Sequence, residues 1–222
     1  MLKRRIGKAF VMIGAVLMAS ALLLFLYNAM ESKEAGQASA NALASIRDAI
    51  QNPAAPADGE TLPDDDHQTQ PTEETAPETI PEPTELTLVE VDGYNYIGFI
   101  SIPNLEMELP VMEDWSMERL QIAPCLQYGS PITDDAVIAA HNFDDHFKPL
   151  HHIEPGERVD FVDNSGYVFE YEVVKVKTMD PTNVYEVIES EHDLILYTCT
   201  TGGQYRVVVF CDRLDKLEDA KG

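Results

Sequence analysis

Hydrophobic and polar positions divide the chain into three zones. An uncharged apolar run from Ala9 to Tyr27 follows Lys3, Arg4, Arg5 and Lys8. Its length suits one helix crossing the hydrocarbon core of a bilayer, and the basic flank places the N-terminus on the cytoplasmic side. A cleaved signal peptide with Ala38-Ser39-Ala40 as its processing site is the competing reading, but the run is long and that site is distant. Residues 31–50 are alanine-rich with mixed charge, which predicts a helical stalk. Its weak apolar stripe (Ala42, Leu43, Ile46, Ala49, Ile50) leaves open whether it is solvated or packs on the globular domain. Residues 51–85 are dominated by Pro, Thr, Glu and Asp, and predict an extended, disordered linker.

From residue 86 to about 216 the pattern changes to short alternating runs bounded by turn residues. Tyr96–Ile102 and Leu105–Val111 read as a strand pair around Pro103-Asn104. Asp114 reads as the N-cap of a helix through about Gln121. Ala136–His141, Arg158–Asp163 and Tyr167–Thr178 read as further strands, with a loop and one helical turn over Pro181–Ser190. The last two runs, Leu194–Cys199 and Arg206–Phe210, flank Gly202-Gly203 and predict a tight hairpin. Seven or eight strands with one or two short helices argue for a closed, largely antiparallel β-barrel.

Charge and cysteine count narrow the function. Fifteen basic and 39 acidic residues give a net charge of −24, which disfavours nucleic acid as a partner. Eleven of the acidic residues lie between Gln51 and Glu90, where there is no Lys or Arg. Three cysteines are too few for a disulfide scaffold. A Cys125–Cys211 bridge stays open.

Candidate chemistry follows from the hairpin register. A turn at Gly202-Gly203 pairs Thr201 with Gln204, Thr200 with Tyr205 and Cys199 with Arg206. Directly opposed residues share a face, so a thiol meets a fixed positive charge that favours thiolate. Cys211 falls on the other face, and Cys125, after Pro124, reads as structural. A thiol nucleophile needs a proton donor for its leaving group, usually histidine. Of six histidines, His67 lies in the linker, and His151 and His152 read as solvated loop residues. His146 and His192 sit between polar or aromatic neighbours. His141 leaves the apolar run Ala136–Ala140, at a strand end where barrels build sites. His146, His151 and His152 with Asp144 and Asp145 lack a dedicated zinc spacing. No cofactor motif stands out, and calcium on an acidic loop stays open.

Leu196-Tyr197-Thr198-Cys199 resembles the signature of the sortases, membrane-anchored cysteine transpeptidases of Gram-positive bacteria. His141 in Ala140-His141-Asn142 resembles their catalytic histidine, and Arg206 their arginine, with Arg213 as the alternative. Phe99–Pro103 and Leu109-Pro110-Val111 resemble their opening strands. Ile195 and Ala140 depart from the usual pattern and leave the subclass open. The resemblance implies that Cys199 attacks the Thr–Gly bond of an LPxTG-like signal on a surface protein. His141 and Arg206 would assist, and Thr198, Thr200 and Asn142 would line the cleft. It further implies an amine acceptor from a cell-wall precursor or a pilin lysine, a single-pass membrane location and an extracellular catalytic domain. A hydrolytic cysteine peptidase and a non-catalytic anchored binding barrel are the alternatives.

Overall fold

The computed structural model describes residues 2–52 and 80–215. Its first element is one helix, α1 (Leu2–Gln51), about 75 Å long at 1.5 Å per residue. No proline interrupts it, and it stops at Asn52, directly before Pro53. Among the described residues it is the one helix long and apolar enough to cross a membrane, and its large apolar side chains from Phe10 to Tyr27 are exposed. The acidic, proline-rich stretch expected to be an extended linker lies, apart from its two ends, outside the described residues.

Nine strands form one sheet: β1 (Val89–Val91), β2 (Tyr94–Ile102), β3 (Met107–Met112), β4 (Cys125–Tyr128), β5 (Ala136–Ala139), β6 (Arg158–Asp163), β7 (Val168–Met179), β8 (Leu194–Cys199) and β9 (Arg206–Arg213). Their order is β1-β2-β3-β4-β5-β8-β9-β7-β6, and a further β2–β6 pairing closes β2 to β9 into an eight-stranded barrel with β1 appended. Most pairs are antiparallel, while β3–β4 and β5–β8 are parallel, so the barrel is mixed. The parallel β5–β8 pair needs a long crossover, which β6, β7 and the helical turn α2 (Val184–Ile188) supply. Closure brings β2 hard against β6. A Cβ on Gly98 (φ 148°) would run into the Val162 carbonyl, so glycine is required there.

Alternation along the strands sorts side chains into an inner core and two outer clusters. Ile100, Ile138, Phe161, Phe169, Leu196 and Val209 fill the barrel. Outside, Val137, Met179, Ile195, Val208 and Phe210 form a patch beneath the α2 segment. Tyr96, Phe99, Met112, Leu120 and Ala139 form the second patch, and the C-terminal half of α1 covers it.

That docking settles the fate of the stalk. Ala35, Ser39, Ala42 and Ile46 are buried, and their spacing of four, three and four residues puts them on one helical face. Leu43 and Ile50, from the expected stripe, pack at its margin. Small residues let the backbones approach closely: a Cβ on Gly36 would lie 2.7 Å from Asp145. An ion pair between Arg47 and Glu108 flanks the stripe, and the Arg47 guanidinium sits 5.4 Å from the centre of the Phe99 ring. Exposed as it is, that ion pair contributes at most about 1 kcal/mol.

Two local expectations need correction. The segment after Asp114 forms only a short 3₁₀ turn, Arg119–Gln121. The Asp114 carboxylate accepts from the Arg119 side chain at 3.0 Å, and the Ser116 hydroxyl takes the Arg119 amide at 3.1 Å. These local bonds compete with a longer helix. At the β8–β9 hairpin the reversal comes one residue early, as a four-residue turn closed by the Gly203 amide donating to the Thr200 carbonyl at 2.8 Å. Gly202 takes the third position with φ 90°, where a side chain would be strained. The turn therefore replaces the expected Thr201–Gln204 pair.

Candidate active site

Three neighbouring strands deliver the candidate residues. β8 lies between β5 and β9. On the β9 side, Cys199 is paired directly with Arg206, the last step of the ladder and the register predicted from sequence. On the β5 side the parallel ladder runs from Ala136–Leu194 to Ala139–Tyr197. The Ala140 amide extends it by donating to the Tyr197 carbonyl at 3.2 Å. Two steps beyond the last pair, the same register sets His141 level with Cys199. Val137, Ile195 and Val208 belong to the outer patch, so strand parity assigns Cys199 and Arg206 to the outer face as well.

The immediate surroundings differ for each group. His141 is half-buried and stacks on Phe143, with ring centroids 4.9 Å apart. Burial lowers its pKa and the Glu31 carboxylate on α1 opposes that shift; Nε2 is buried and has no hydrogen-bond partner among the described residues. Cys199 is half-buried and reduced. Its carbonyl oxygen lies 3.2 Å from Nε2 of His151, where that ring can donate. His151 is therefore not the bystander its sequence context suggested: the short 3₁₀ helix Lys148–His152 folds it back against the end of β8. Arg206 is half-buried, and its Nη1 donates to the carbonyls of Gly203 and Tyr205, both at 3.1 Å. Among the described residues no hydrogen bond joins His141, Cys199 and Arg206; adjacent strand ends bring them together.

The residues expected to line the cleft take other positions. Thr198 points into the barrel, 1% exposed, because strand alternation sets it opposite in sense to Cys199. Its hydroxyl donates to the Ala140 carbonyl at 2.9 Å, tying β8 to the strand that carries His141. Thr200 takes the Tyr205 amide on its hydroxyl at 3.1 Å and so belongs to the turn. Asn142 is half-buried beside His141, with Oδ1 buried and without a hydrogen-bond partner among the described residues. Arg213, the alternative arginine, is buried elsewhere, in ion pairs with Glu82, Asp134 and Asp215.

The remaining thiols behave differently from an active-site cysteine. Cys125 and Cys211 are free and buried in separate clusters, so they do not bridge. Burial pushes the Cys125 thiol up to about 12 and raises that of Cys211 as well. His146 is fully buried, with Nε2 3.3 Å from the Ser39 hydroxyl of α1, and burial lowers its pKa to about 4. Among the described residues no group of three or more His, Cys, Asp or Glu side chains converges on a metal position.

Beside Arg206 a cavity of about 190 Å³ opens between the outer face and the α2 segment. Tyr197, Val208, Met179, Val187 and Ile188 give it apolar walls, and Gln127, Asp180 and Asn183 add polar groups. The Tyr197 hydroxyl donates to Gln127 at 2.5 Å, which ties two of the lining side chains together.

A closed, mixed eight-stranded barrel with an N-terminal apolar helix and an outward thiol–guanidinium pair defines the class as a sortase-type barrel. A family model described as the sortase domain matches residues 100–214 of the 222, and the chain belongs to the sortase family. Among solved structures, sortase C1 from Streptococcus agalactiae aligns at 25% identity over 56% of this chain and 70% of its own, with a TM-score of 0.50. Sortase A from Corynebacterium diphtheriae aligns at 21% identity over 55% and 61%, TM-score 0.50. Streptococcus pneumoniae sortase C aligns at 26% identity over 54% and 66%, TM-score 0.49. The chain thus spans roughly two thirds of the length of these structures, between 61% and 70%. No curated protein sequence matches it.

Proposed function

We propose that this protein is a membrane-anchored cysteine transpeptidase acting on surface proteins that carry an LPxTG-like sorting signal. The observation carrying the reading is the Cys199–Arg206 pair at the β8–β9 hairpin, with His141 two residues past the end of β5, the other neighbour of β8. The Cys199 thiolate attacks the Thr carbonyl carbon of the signal, and the tetrahedral oxyanion collapses with loss of the Gly amine. The His141 imidazolium gives its proton to that amine, leaving a thioacyl-enzyme. An incoming amine, from a cell-wall precursor or a pilin lysine, then loses a proton to the neutral imidazole and displaces the thiolate.

Arg206 contributes donors to the oxyanion or to substrate carbonyls. A guanidinium has five N–H groups, and the contacts to Gly203 and Tyr205 engage only Nη1. A single preorganised oxyanion donor is worth about 10²–10³ in rate. The cavity beside it, walled by Val208, Val187 and Ile188, suits an aliphatic side chain of the signal. In this reading α1 crosses the membrane with its N-terminus in the cytoplasm and the barrel outside.

Mass spectrometry of the protein incubated with sorting peptides tests this. A thioester adduct on Cys199, converted to an amide product only when an amine is supplied, is the expected result. Free acid released at the same rate with or without amine would replace the transpeptidase by a hydrolytic peptidase. No adduct and full thiol inertness would leave a binding barrel.

A further inference from the structure

α1 does more than reach the membrane. Over three successive turns it touches the loop that carries His141. Glu31 and Ser32 line a cavity with Asn142 and Phe143, the two residues after His141. One turn on, Gly36 packs against Asp145. Next, the buried Ser39 hydroxyl donates to the Ile122 carbonyl at 2.8 Å and lies 3.3 Å from the fully buried His146. The loop 141–146 is thus built against a helix that belongs to the anchor, not to the barrel.

We propose that Glu31 is a positioning residue for His141, its carboxylate balancing the charge of the imidazolium that protonates the leaving amine. This rests on the transpeptidase reading of the site. A half-buried imidazole loses solvation for its charged form, and its neighbours on other elements do little to restore it. From β8, Cys199 stands level with it in the ladder, with Arg206 paired to Cys199 and His151 against the Cys199 carbonyl. On its own loop, Asp144 is paired with Lys148, Asp145 abuts Gly36, and His146 adds a second imidazole whose charge would repel. On α1, Lys33 and Glu34 are exposed, on the turn that carries Glu31. Glu31 instead lines the cavity walled by Asn142 and by Phe143, whose ring stacks on His141, and its negative charge there opposes the effect of burial on the imidazole.

The test uses the full chain in detergent micelles, with Glu31→Gln, Glu31→Asp and Glu34→Gln. The His141 ring proton followed by NMR is expected to titrate at lower pH in Glu31→Gln, to return toward the parent in Glu31→Asp, and to stay unchanged in Glu34→Gln. Transpeptidation kcat/KM of Glu31→Gln is expected to fall about two- to fivefold, the size of a partly exposed ion pair. A His141 titration unmoved in Glu31→Gln, or moved equally in Glu34→Gln, overturns the proposal. That readout needs no substrate, so it stands or falls separately from the adduct on Cys199 that tests the reaction.

Discussion

Acid should loosen the contact between α1 and the barrel, with His146 setting the pH at which this happens. The ring is fully buried against Ser39, and burial lowers its pKa to about 4, while in the unfolded chain it returns to about 6.5. Between those values the unfolded chain holds a proton that the folded one excludes. Stability is therefore full at neutral pH and falls as pH drops through 6.5 toward 4. The linkage relation gives a loss of about 2 kcal/mol by pH 5 and about 3 kcal/mol by pH 4. For a chain of this size about 2 kcal/mol corresponds to a fall of about 4–8 °C in Tm. Burial lowers the pKa of His141 too, so it acts in the same direction. The assay is thermal unfolding at pH 7.5 and pH 5 for the parent and for His146→Gln, which cannot titrate. The variant should lose clearly less stability between the two pH values than the parent. Equal pH dependence in both would refute the assignment of this loss to His146.

Thr198→Val keeps the shape but leaves the Ala140 carbonyl without its partner, which should cost about 1–3 kcal/mol. Because that bond ties β5 to β8 beside the site, kcat should fall more than KM rises; an unchanged Tm would count against the bond. In the folded protein Cys199 should be alkylated well before Cys125 and Cys211, whose buried thiols are held protonated, and peptide mapping after iodoacetamide treatment reads this directly. Arg206→Ala should lower kcat/KM by about 10²-fold or more with little change in Tm, since the side chain bonds only turn carbonyls. Ile46→Ala removes a fully buried side chain from the docked face of α1 and should cost about 2–5 kcal/mol, seen as a lower Tm of the full chain.

How much of this was legible depends on whether the signal was local. The Cys199–Arg206 pairing follows from alternation and two glycines, and survives the shift of the turn because the strands on either side set the register. His141 was marked by the apolar run it leaves, which is β5. Inner and outer positions were harder: Thr198 was expected on the cleft, yet the parity that turns Cys199 outward turns its neighbour inward. His151 carried no sequence mark at all. It reaches Cys199 only because a 3₁₀ segment folds across the barrel end, a tertiary event with no periodicity of its own. The docking stripe of α1 was half visible. Ala42 and Ile46 stood out as apolar, but Ala35 and Ser39 are small rather than hydrophobic, and close helix approach selects for size. Glu31 was unreadable for the same reason, since its meaning depends on where that helix lands.

Glu31, which lines a cavity with the two residues after His141, comes only four positions after Tyr27, where the apolar run stops. At 1.5 Å per residue that is about 6 Å of rigid rod. With the apolar half of α1 taken as the span, the Cys199 thiol would be held at a fixed altitude just above the headgroups. Adding residues to the acidic stretch between 52 and 80 would leave that altitude untouched. Inserting four residues after Tyr27 would lift the barrel by one helical step and swing it by about 40° around the rod, so range is set by a strut and not by a leash.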